Sequence, residues 1–163
     1  MELSHVDDAG AARMVDVSDK QPGRRVAVAT GVLRTTADVV ELLHTDGLPK
    51  GDALATARIA GIMGAKRTPD LVPLCHPIAI SGVTLDLSAH DDRIDIRAEV
   101  RTTDRTGVEM EALTAVAVAG LTLHDMIKAV DPNAVLDAVR VERKDGGKTG
   151  TWVRPSDEPE QAP

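Results

Sequence analysis

The sequence predicts an α+β fold, a ferredoxin-like antiparallel sheet with helices packed on one face. Two features of the sequence predict it. Apolar and polar residues alternate with a period of two in several strand-length segments, and apolar stretches of helical length lie between those segments. The resulting order is β-α-α-β-β-α-β, which is the β-α-β-β-α-β order of this fold with a doubled first helical connection.

The first half of this pattern begins with a strand over 25–34, in which β-branched residues recur at every second position. Two helices follow the strand. Thr36 and Asp52 are their predicted N-caps, because a side-chain oxygen at this position accepts a hydrogen bond from a free N–H of the first helical turn. The first helix is predicted to end before the turn residues Asp46 and Gly47.

The second half begins with an irregular loop, predicted by three prolines between residues 69 and 77. Two alternating segments joined by the short polar link 89–92 predict a hairpin. A long helix then ends at Asp131-Pro132, and the last strand leads into a glycine-containing loop at 144–150. The predicted bounds, in chain order, are strand 25–34, helix 36–44, helix 52–64, strand 78–89, strand 93–103, helix 108–130 and strand 138–143.

Composition and charge restrict the functions that this chain can have. Its only aromatic residue is one tryptophan, so it lacks the aromatic platforms on which proteins stack single-stranded nucleic acids. A formal net charge of −7 repels nucleic acid and anionic lipid. The single cysteine, Cys75, excludes an internal disulfide and is typical of a reducing compartment. No uncharged run approaches the roughly 20 residues of a membrane span, so we expect a cytoplasmic protein that binds neither nucleic acid nor membranes.

One domain is expected between two polar ends. Residues 1–24 and 155–163 are rich in charged residues, glycine or proline, which predicts a flexible N-terminal arm and a disordered tail. The residues between them, 25–154, form the predicted single domain. Two of its helical segments, 53–63 and 112–123, are apolar nearly all round. Such a helix is covered on both sides, and we expect the second cover to be another subunit of a homo-oligomer.

Charged residues gather at the ends of these apolar helices. Glu109 and Glu111 lie in the first turn of the long helix, Asp125 and Lys128 lie near its end, and Lys50 precedes the second helix. The helix dipole alone favours carboxylates at an N-terminus and a lysine at a C-terminus. Asp125 and Lys128 are three positions apart and can pair, either as a surface ion pair or as an acid–base pair. The spacing leaves both roles open.

The length of the long helix constrains any site that uses both of its ends. Glu111 and Asp125 are fourteen positions apart, which is roughly 21 Å along the helix axis. They therefore cannot meet at one reacting atom within a single subunit. A site that uses both needs a long ligand or two subunits.

His76 is either an acid–base group or a hydrogen-bonded loop histidine, and the residues around it do not decide between these roles. Its neighbour Cys75 is more typical of a buried small residue than of a nucleophile, since adjacent side chains usually diverge. The other histidines lack the spacing of metal ligands, so no metal site is predicted.

Two pairs of cations are placed to bind an anion. Lys66 and Arg67 follow the second helix, and Lys144 and Lys148 flank a Gly-Gly turn whose N–H groups can face a phosphate. The segment GGKTG at 146–150 is similar to the end of a phosphate-binding loop, but that motif's first glycine is absent and no helix follows. We therefore expect part of an anion site here rather than a nucleotide-binding motif.

Four segments are long and distinctive: LSHVDDAGAARMVDVSDK near the start, KGDALATARIAGIMGAKRTPDLVPLCHPI at 50–78, TGVEMEALTAVAVAGLTLHDMIKAV at 106–130 and KDGGKTG at 144–150. They cover most of the chain, and in this order the chain resembles the MoaC family, the cyclic pyranopterin monophosphate synthases. KGD, LCHP, GVEMEAL and DMxKA carry most of the resemblance.

The resemblance implies a catalytic domain of the phosphorus–oxygen lyase type that acts in molybdenum cofactor biosynthesis. Its substrate would be the cyclic dihydroguanosine triphosphate made from GTP, converted into cyclic pyranopterin monophosphate with release of diphosphate. No cofactor is required by this step, although Mg²⁺ can accompany the triphosphate. The family also implies a homohexamer, a trimer of dimers with its sites at the dimer interface.

The resemblance also assigns roles to the candidate residues. Ring opening needs a donor and an acceptor of protons, and the leaving diphosphate must be neutralised. The implied catalytic residues are Asp125, Lys128 and Lys50. The implied substrate-binding residues are His76, Cys75, Glu109, Glu111, Met110, Lys144, Lys66, Arg67 and Lys148.

Two other classes of function stay open at this point. The chain could be a non-catalytic ligand-binding module, because ferredoxin-like domains also serve as regulatory sensors. It could instead be a scaffold subunit that recruits partners through its acidic surface. A sensor would bind the substrate without releasing diphosphate, and a scaffold would have no convergent cluster of lysines.

Overall fold

The computed structural model describes most of the chain, namely residues 6–7, 9–45, 47–148 and 150–155. Parts of the predicted arm and tail, Asp46 of the predicted turn and Thr149 of the last loop lie outside the described residues. Within the described part, the elements in chain order are β1 (Gly23–Arg34), α1 (Ala37–His44), α2 (Ala53–Lys66), α3 (Thr68–Leu71), β2 (Ile80–His90), β3 (Arg93–Asp104), α4 (Glu109–Ile127), β4 (Val135–Asp145) and β5 (Trp152–Val153).

The strands form one sheet in the order β2-β3-β1-β4-β5, and every pair of neighbours is antiparallel. β1 is central. Its first residue, Gly23, pairs with Asp104 at the end of β3, and Val26 pairs with Asp145 at the end of β4. The first four strands of this order have the ferredoxin-like arrangement, in which β1 and β2 are separated by β3. The predicted α+β class and antiparallel sheet are confirmed.

The helices cover one face of the sheet and enclose an aliphatic core. Gly31 of β1 lies beneath α4, where a Cβ would come within 2.7 Å of Val116 Cγ1. Gly61 of α2 faces Leu85 of β2. With no Phe or Tyr in the chain, branched aliphatic side chains fill the space between these layers. The largest fully buried apolar side chains are those of Leu33, Ile94, Ile96, Leu123, Ile127, Val39, Val100, Val108 and Val116.

The predicted helix caps are confirmed. Thr36 Oγ1 accepts a hydrogen bond from the N–H of Val39 at 3.4 Å, and Asp52 Oδ1 accepts from the N–H of Ala55 at 2.9 Å. The predicted hairpin between β2 and β3 also forms. Its turn includes Asp91 at φ 53°, a left-handed conformation that aspartate tolerates better than most residues.

The clearest differences from the predicted boundaries lie in α4 and β4. α4 ends at Ile127, because the N–H groups of Val130 and Asp131 both donate to the Ile127 carbonyl, at 2.8 and 3.0 Å, and close a tighter turn. β4 begins before and ends after its predicted bounds. Its pairing with β1 runs to Asp145, and this long-range pairing extends the strand beyond the residues with strand-like composition.

Two short elements were not predicted at all. α3 falls in the proline-containing stretch that we predicted to be irregular, and its proline occupies the first turn, where no N–H is needed. β5 has two residues, and it pairs with Arg143 and Lys144 of β4. A strand of this length leaves no periodic signal in the sequence.

Apolar side chains remain exposed on the outer side of α2 and α4. Ile59, Met63 and Leu121 are 61%, 52% and 66% exposed. No described residue of this chain supplies the second cover that we predicted for these helices. α4 is also long and apolar enough to cross a membrane by length and composition alone, but 56% of that stretch is buried within the protein, as in the core helix of a globular fold.

We expect Gly61→Val to destabilise the fold by about 2 kcal/mol or more, because overpacking forces backbones apart. A Cβ at Gly61 would lie 2.8 Å from the backbone oxygen of Ala115 and 3.2 Å from Ala119 Cβ. Urea unfolding measures the loss. The matched control is Gly23→Val, because a Cβ at Gly23 meets no atom within 4 Å. Equal midpoints for the two variants would contradict the close contact of α2 with α4.

Candidate active site

A cluster of two lysines and one carboxylate lies at the C-terminal end of α4. Lys128 Nζ lies 2.7 Å from Asp125 Oδ1, and Lys50 Nζ lies 2.7 Å from Asp125 Oδ2 and 2.8 Å from the Asp125 carbonyl oxygen. The pairing of Asp125 with Lys128 was expected from their spacing. Lys50 is 75 positions away in the chain, and it joins them because the start of α2 packs beside the end of α4.

The turn before α2 fixes the position of Lys50. Gly51 adopts φ +85°, a backbone conformation that residues with a Cβ rarely take. Asp52 then caps the helix, so Lys50 lies in an ordered turn immediately before the first residue of α2. The hydrogen bonds from Lys128 and Lys50 lower the pKa of Asp125 to about 2. Asp125 is therefore a carboxylate at neutral pH, and it orients two ammonium groups towards one point.

A cavity of about 420 Å³, the carboxylate cavity, lies at the other end of α4. It brings together seven residues of the LCHP and GVEMEAL segments with others that the sequence did not single out. Its lining includes Val15, Val17, Lys20, Leu74, Cys75, His76, Glu109, Met110 and Glu111.

Glu111 is almost fully buried in the wall of the carboxylate cavity, with 3% of its surface exposed. Burial, and to a lesser extent the nearby charge of Glu109, raise its pKa to about 7. At neutral pH the carboxyl is therefore divided between its protonated and ionised forms. Burial, and to a lesser extent the charge of Glu111, also raise the pKa of Cys75, which keeps this thiol protonated and unsuited to nucleophilic attack.

The N-terminal segment supplies part of this cavity. His76 Nε2 lies 2.7 Å from the carbonyl oxygen of Val15, so this nitrogen donates and carries a proton. The other ring nitrogen is left as an acceptor if the ring is neutral. Val17 and Lys20 line the same cavity, and the described part of the predicted arm thus contributes side chains to the site.

Five cations line a second cavity of about 200 Å³, the basic cavity: Lys20, Arg25, Arg105, Lys144 and Lys148. The sheet register assembles it, because the start of β1 lies between the end of β3 and the end of β4. Among the described residues that line it, two are acidic, Glu109 and Asp145. The chain is acidic as a whole, but it concentrates positive charge at this end of the sheet.

The Gly-Gly turn after β4 needs glycine for steric reasons. Gly146 and Gly147 have φ values of +97° and +80°. A Cβ at Gly146 would collide with the backbone oxygen of Arg24, and one at Gly147 would collide with the guanidinium of Arg25. The turn therefore packs directly on the start of β1, and this contact places Arg25 beside Lys144 and Lys148.

The basic and carboxylate cavities adjoin. Glu109 lines both of them, as does Lys20, and Lys144 Nζ pairs with Glu109 Oε1 at 3.2 Å. A ligand could therefore place phosphates among the cations and polar ring atoms against the carboxylates without leaving the site.

The structure does not bring all the sequence-predicted residues together. The cluster of Lys50, Asp125 and Lys128 lies at the opposite end of α4 from the two cavities, roughly 21 Å away along the axis. Lys66 and Arg67 are exposed at the end of α2 and line neither cavity. The assignment of these residues to one site therefore stays a prediction, because a single copy of the chain does not bring them together.

Comparison with known proteins shows the family of this chain. The model of the MoaC family matches residues 14–147. A protein of Streptomyces coelicolor named cyclic pyranopterin monophosphate synthase is 68% identical over 152 residues, which cover 93% of this chain and 89% of the relative. The chain belongs to the MoaC family.

Other MoaC relatives carry the same name. A cyclic pyranopterin monophosphate synthase 2 of Mycobacterium tuberculosis is 64% identical over 153 residues, covering 94% of this chain and 92% of the relative. A cyclic pyranopterin monophosphate synthase of Corynebacterium efficiens is 58% identical over 151 residues, covering 93% and 97%. The likeness therefore extends over nearly the whole length of both chains.

Three cations of the basic cavity in this MoaC-family chain were missed from the sequence: Lys20, Arg25 and Arg105. Lys20 was assigned to the arm, and the two arginines flank strands where charged residues are common. A signal was available, because an antiparallel neighbour of β1 must end where β1 begins. The predicted ferredoxin-like strand order already pairs β1 with β3, which brings the start of β1, with Arg25, near the end of β3 and Arg105.

We expect the free energy of unfolding of Glu111→Gln, relative to that of the parent protein, to increase as the pH rises. The unfolded Glu111 loses its proton near 4.5 and the folded one near 7, so the parent binds more protons when folded and loses stability as the pH rises between these values. Glutamine cannot ionise. The difference in the free energy of unfolding should therefore increase by about 3 kcal/mol from about pH 4 to about pH 8.

Urea unfolding at several pH values measures this difference. The control is Glu109→Gln, which removes a partly exposed carboxylate and its ion pair with Lys144, and which should bring no such gain at high pH. A stability difference for Glu111→Gln that stays constant across the pH range would contradict a raised pKa at this position.

Proposed function

We propose that this chain is a cyclic pyranopterin monophosphate synthase in molybdenum cofactor biosynthesis. Its substrate is the cyclic dihydroguanosine triphosphate made from GTP, and its products are cyclic pyranopterin monophosphate and diphosphate. The observation that carries the proposal is the five-cation cavity adjoining a carboxylate-lined cavity in a chain of this family. The shared name of relatives that are 58–68% identical supports it.

The reaction expels diphosphate as a cyclic phosphate closes. An oxygen of the substrate forms a bond to the phosphorus nearest the ribose-derived carbon, the bond from that phosphorus to the diphosphate oxygen breaks, and the attacking hydroxyl gives up its proton. This makes the enzyme a lyase of the phosphorus–oxygen type. Charge develops on the leaving diphosphate, and fixed cations in a partly enclosed site stabilise it.

The basic cavity has the composition to bind the triphosphate. Lys144 and Lys148, which were predicted from the sequence, lie there with Lys20, Arg25 and Arg105. Guanidinium groups can bind phosphate oxygens in bidentate fashion, and ammonium groups act as point charges. We propose that no resident cofactor is needed and that Mg²⁺, which prefers phosphate oxygens, enters with the substrate.

The carboxylate cavity has the groups to bind the guanine-derived ring edge. Glu109 can accept hydrogen bonds from ring N–H and amino groups. Glu111 has a pKa of about 7, so it can either donate or accept a proton at neutral pH. In our proposal His76 binds the ligand or shuttles a proton, and Cys75 and Met110 complete the wall of the cavity.

The cluster at the other end of α4 supplies the remaining acid–base groups. Asp125 is ionised at neutral pH and holds the ammonium groups of Lys50 and Lys128 2.7 Å from its two oxygens. We propose that the lysines donate protons or neutralise developing negative charge, while Asp125 orients them. All three side chains are about half exposed in the single chain, which leaves room for a ligand at this surface.

We propose that the complete site contains residues of two subunits. The cluster and the cavities are roughly 21 Å apart along α4, yet all of them are assigned to one reaction. The exposed apolar residues Ile59, Met63 and Leu121 offer a surface through which α2 and α4 can meet a second copy. A homohexamer built as a trimer of dimers, in the cytoplasm, is the assembly that we propose. Within it, a second subunit would have to bring Lys66 and Arg67 to the triphosphate.

We expect Lys128→Ala to lower kcat about 100-fold or more, because a positioned acid–base group contributes this much. Lys50→Ala should have a similar effect. Release of diphosphate from the cyclic dihydroguanosine triphosphate measures the rate. The control is Arg97→Ala, because Arg97 pairs with Asp86 and Glu99 on the face of the sheet away from the helices. Near-normal turnover by a folded Lys128→Ala oligomer would remove this residue from catalysis.

Binding of the substrate by the parent protein without diphosphate release would favour a sensor over an enzyme.

We expect inactive variants with damage at opposite ends of α4 to complement each other. In a mixed dimer of Lys128→Ala and Glu109→Gln, one shared site carries both changes and the other carries neither. Random mixing in equal amounts should restore roughly a quarter of the parent activity. The control mixes Lys128→Ala with Lys50→Ala, which damage the same end and leave no intact site. No recovery in the first mixture, with mixed dimers verified by mass spectrometry, would place each site within one subunit.

A further inference from the structure

Trp152 lines a third cavity beside the two already described. This tryptophan cavity has a volume of about 380 Å³ and is lined by Glu109, Val141, Lys144, Thr151 and Trp152. Its volume lies within the range of small-molecule sites. Because Glu109 and Lys144 also line the basic cavity, the tryptophan cavity adjoins the place proposed for the triphosphate.

The backbone places the indole on the same face of the sheet as Lys144. β5 pairs antiparallel with β4, and Trp152 lies directly opposite Lys144. Directly opposite residues of antiparallel strands project to the same face. Lys144 Nζ reaches Glu109 of α4 at 3.2 Å, so this is the face that the helices cover and on which both other cavities lie.

Hydrogen bonds hold both ends of the two-residue strand. Thr151 Oγ1 donates to Asp145 Oδ1 at 2.8 Å, and the N–H of Arg154 donates to the Glu142 carbonyl at 2.8 Å. Trp152 lies between these two anchors. The indole is therefore positioned by β4 and does not depend on a free chain end.

Packing alone does not explain why the indole lies here. Trp152 is the chain's only aromatic side chain, and it stays outside the core with 37% of its surface exposed. The Arg154 guanidinium lies 5.6 Å from the centre of its ring, a cation–π distance. When a planar ligand covers the exposed face of a large aromatic side chain, apolar surface is removed from water and binding becomes more favourable.

We propose that Trp152 forms the ring-binding wall of the site: one face of the substrate's guanine-derived ring system packs on the indole, with its edge towards Glu109 and its triphosphate in the basic cavity. This inference rests on the proposed function. Stacking on an aromatic face does not depend on a particular pattern of donors and acceptors. Such a wall therefore suits a ring system that is opened and rearranged while it stays bound.

The single tryptophan makes the proposal directly measurable, because all the indole fluorescence of the protein comes from Trp152. The full-length oligomer is titrated with GTP and, separately, with inorganic triphosphate, and calorimetry measures binding of each. We expect GTP to quench the emission and to protect the indole from acrylamide. Inorganic triphosphate should bind in the basic cavity and leave the emission nearly unchanged.

Substitutions separate a ring contact from a structural role. Trp152→Leu should weaken GTP binding about tenfold or more, as the loss of one aromatic stacking contact does, while inorganic triphosphate binds as before. Trp152→Phe keeps an aromatic face and should recover most of the GTP affinity. The matched control is Val153→Ala, one position further along β5 and opposite Arg143, where the side chain projects to the other face.

The possible outcomes distinguish this inference from the proposed function. GTP binding without a change in emission, or equal quenching by inorganic triphosphate, would overturn the ring contact while leaving the synthase activity intact. An equal loss of affinity for both ligands in Trp152→Leu would also overturn it. Absence of diphosphate release by the parent protein would instead overturn the proposed function.

Discussion

The close contact between α2 and α4 holds together both the core and the ion-paired cluster. Gly61 lies so near the Ala115 carbonyl that no side chain fits between the two backbones. This approach buries the small residues of both helices over the sheet. It also sets the start of α2 beside the end of α4, so that Lys50 reaches Asp125. A bulkier residue at Gly61 would push α2 away from α4, which would loosen the core and move Lys50 away from Asp125.

The two ends of α4 place carboxyl groups in opposite electrostatic environments. Asp125 is open to solvent and flanked by two ammonium groups, which keep it ionised well below neutral pH. Glu111 is buried, and no cation among the described residues lowers its pKa, so desolvation favours its protonated form up to about pH 7. One helix thus carries two carboxyl groups with different properties. The exposed Asp125 is suited to orienting lysines, and the buried Glu111 is suited to exchanging a proton.

Local charge matters more than total charge in this chain. The net charge of −7 would repel a triphosphate, but the antiparallel register brings the start of β1 and the ends of β3 and β4 together with their cations. The Gly-Gly turn then fits against Arg24 and Arg25, where any Cβ would collide. In the proposed enzyme, backbone pairing and two glycines create a positive site within an acidic chain.

The fold class, most of the elements and the local features of the site could be predicted from the sequence. Strand alternation, the caps at Thr36 and Asp52 and the pairing of Asp125 with Lys128 all depend on residues close together in the chain, and these were predicted. Features that depend on distant residues emerge only in the folded chain: the reach of Lys50 to Asp125, the cations Arg25 and Arg105 beside Lys144, and β5 with Trp152. These arise from strand register and helix packing, to which each residue contributes too weakly for a local pattern to reveal them.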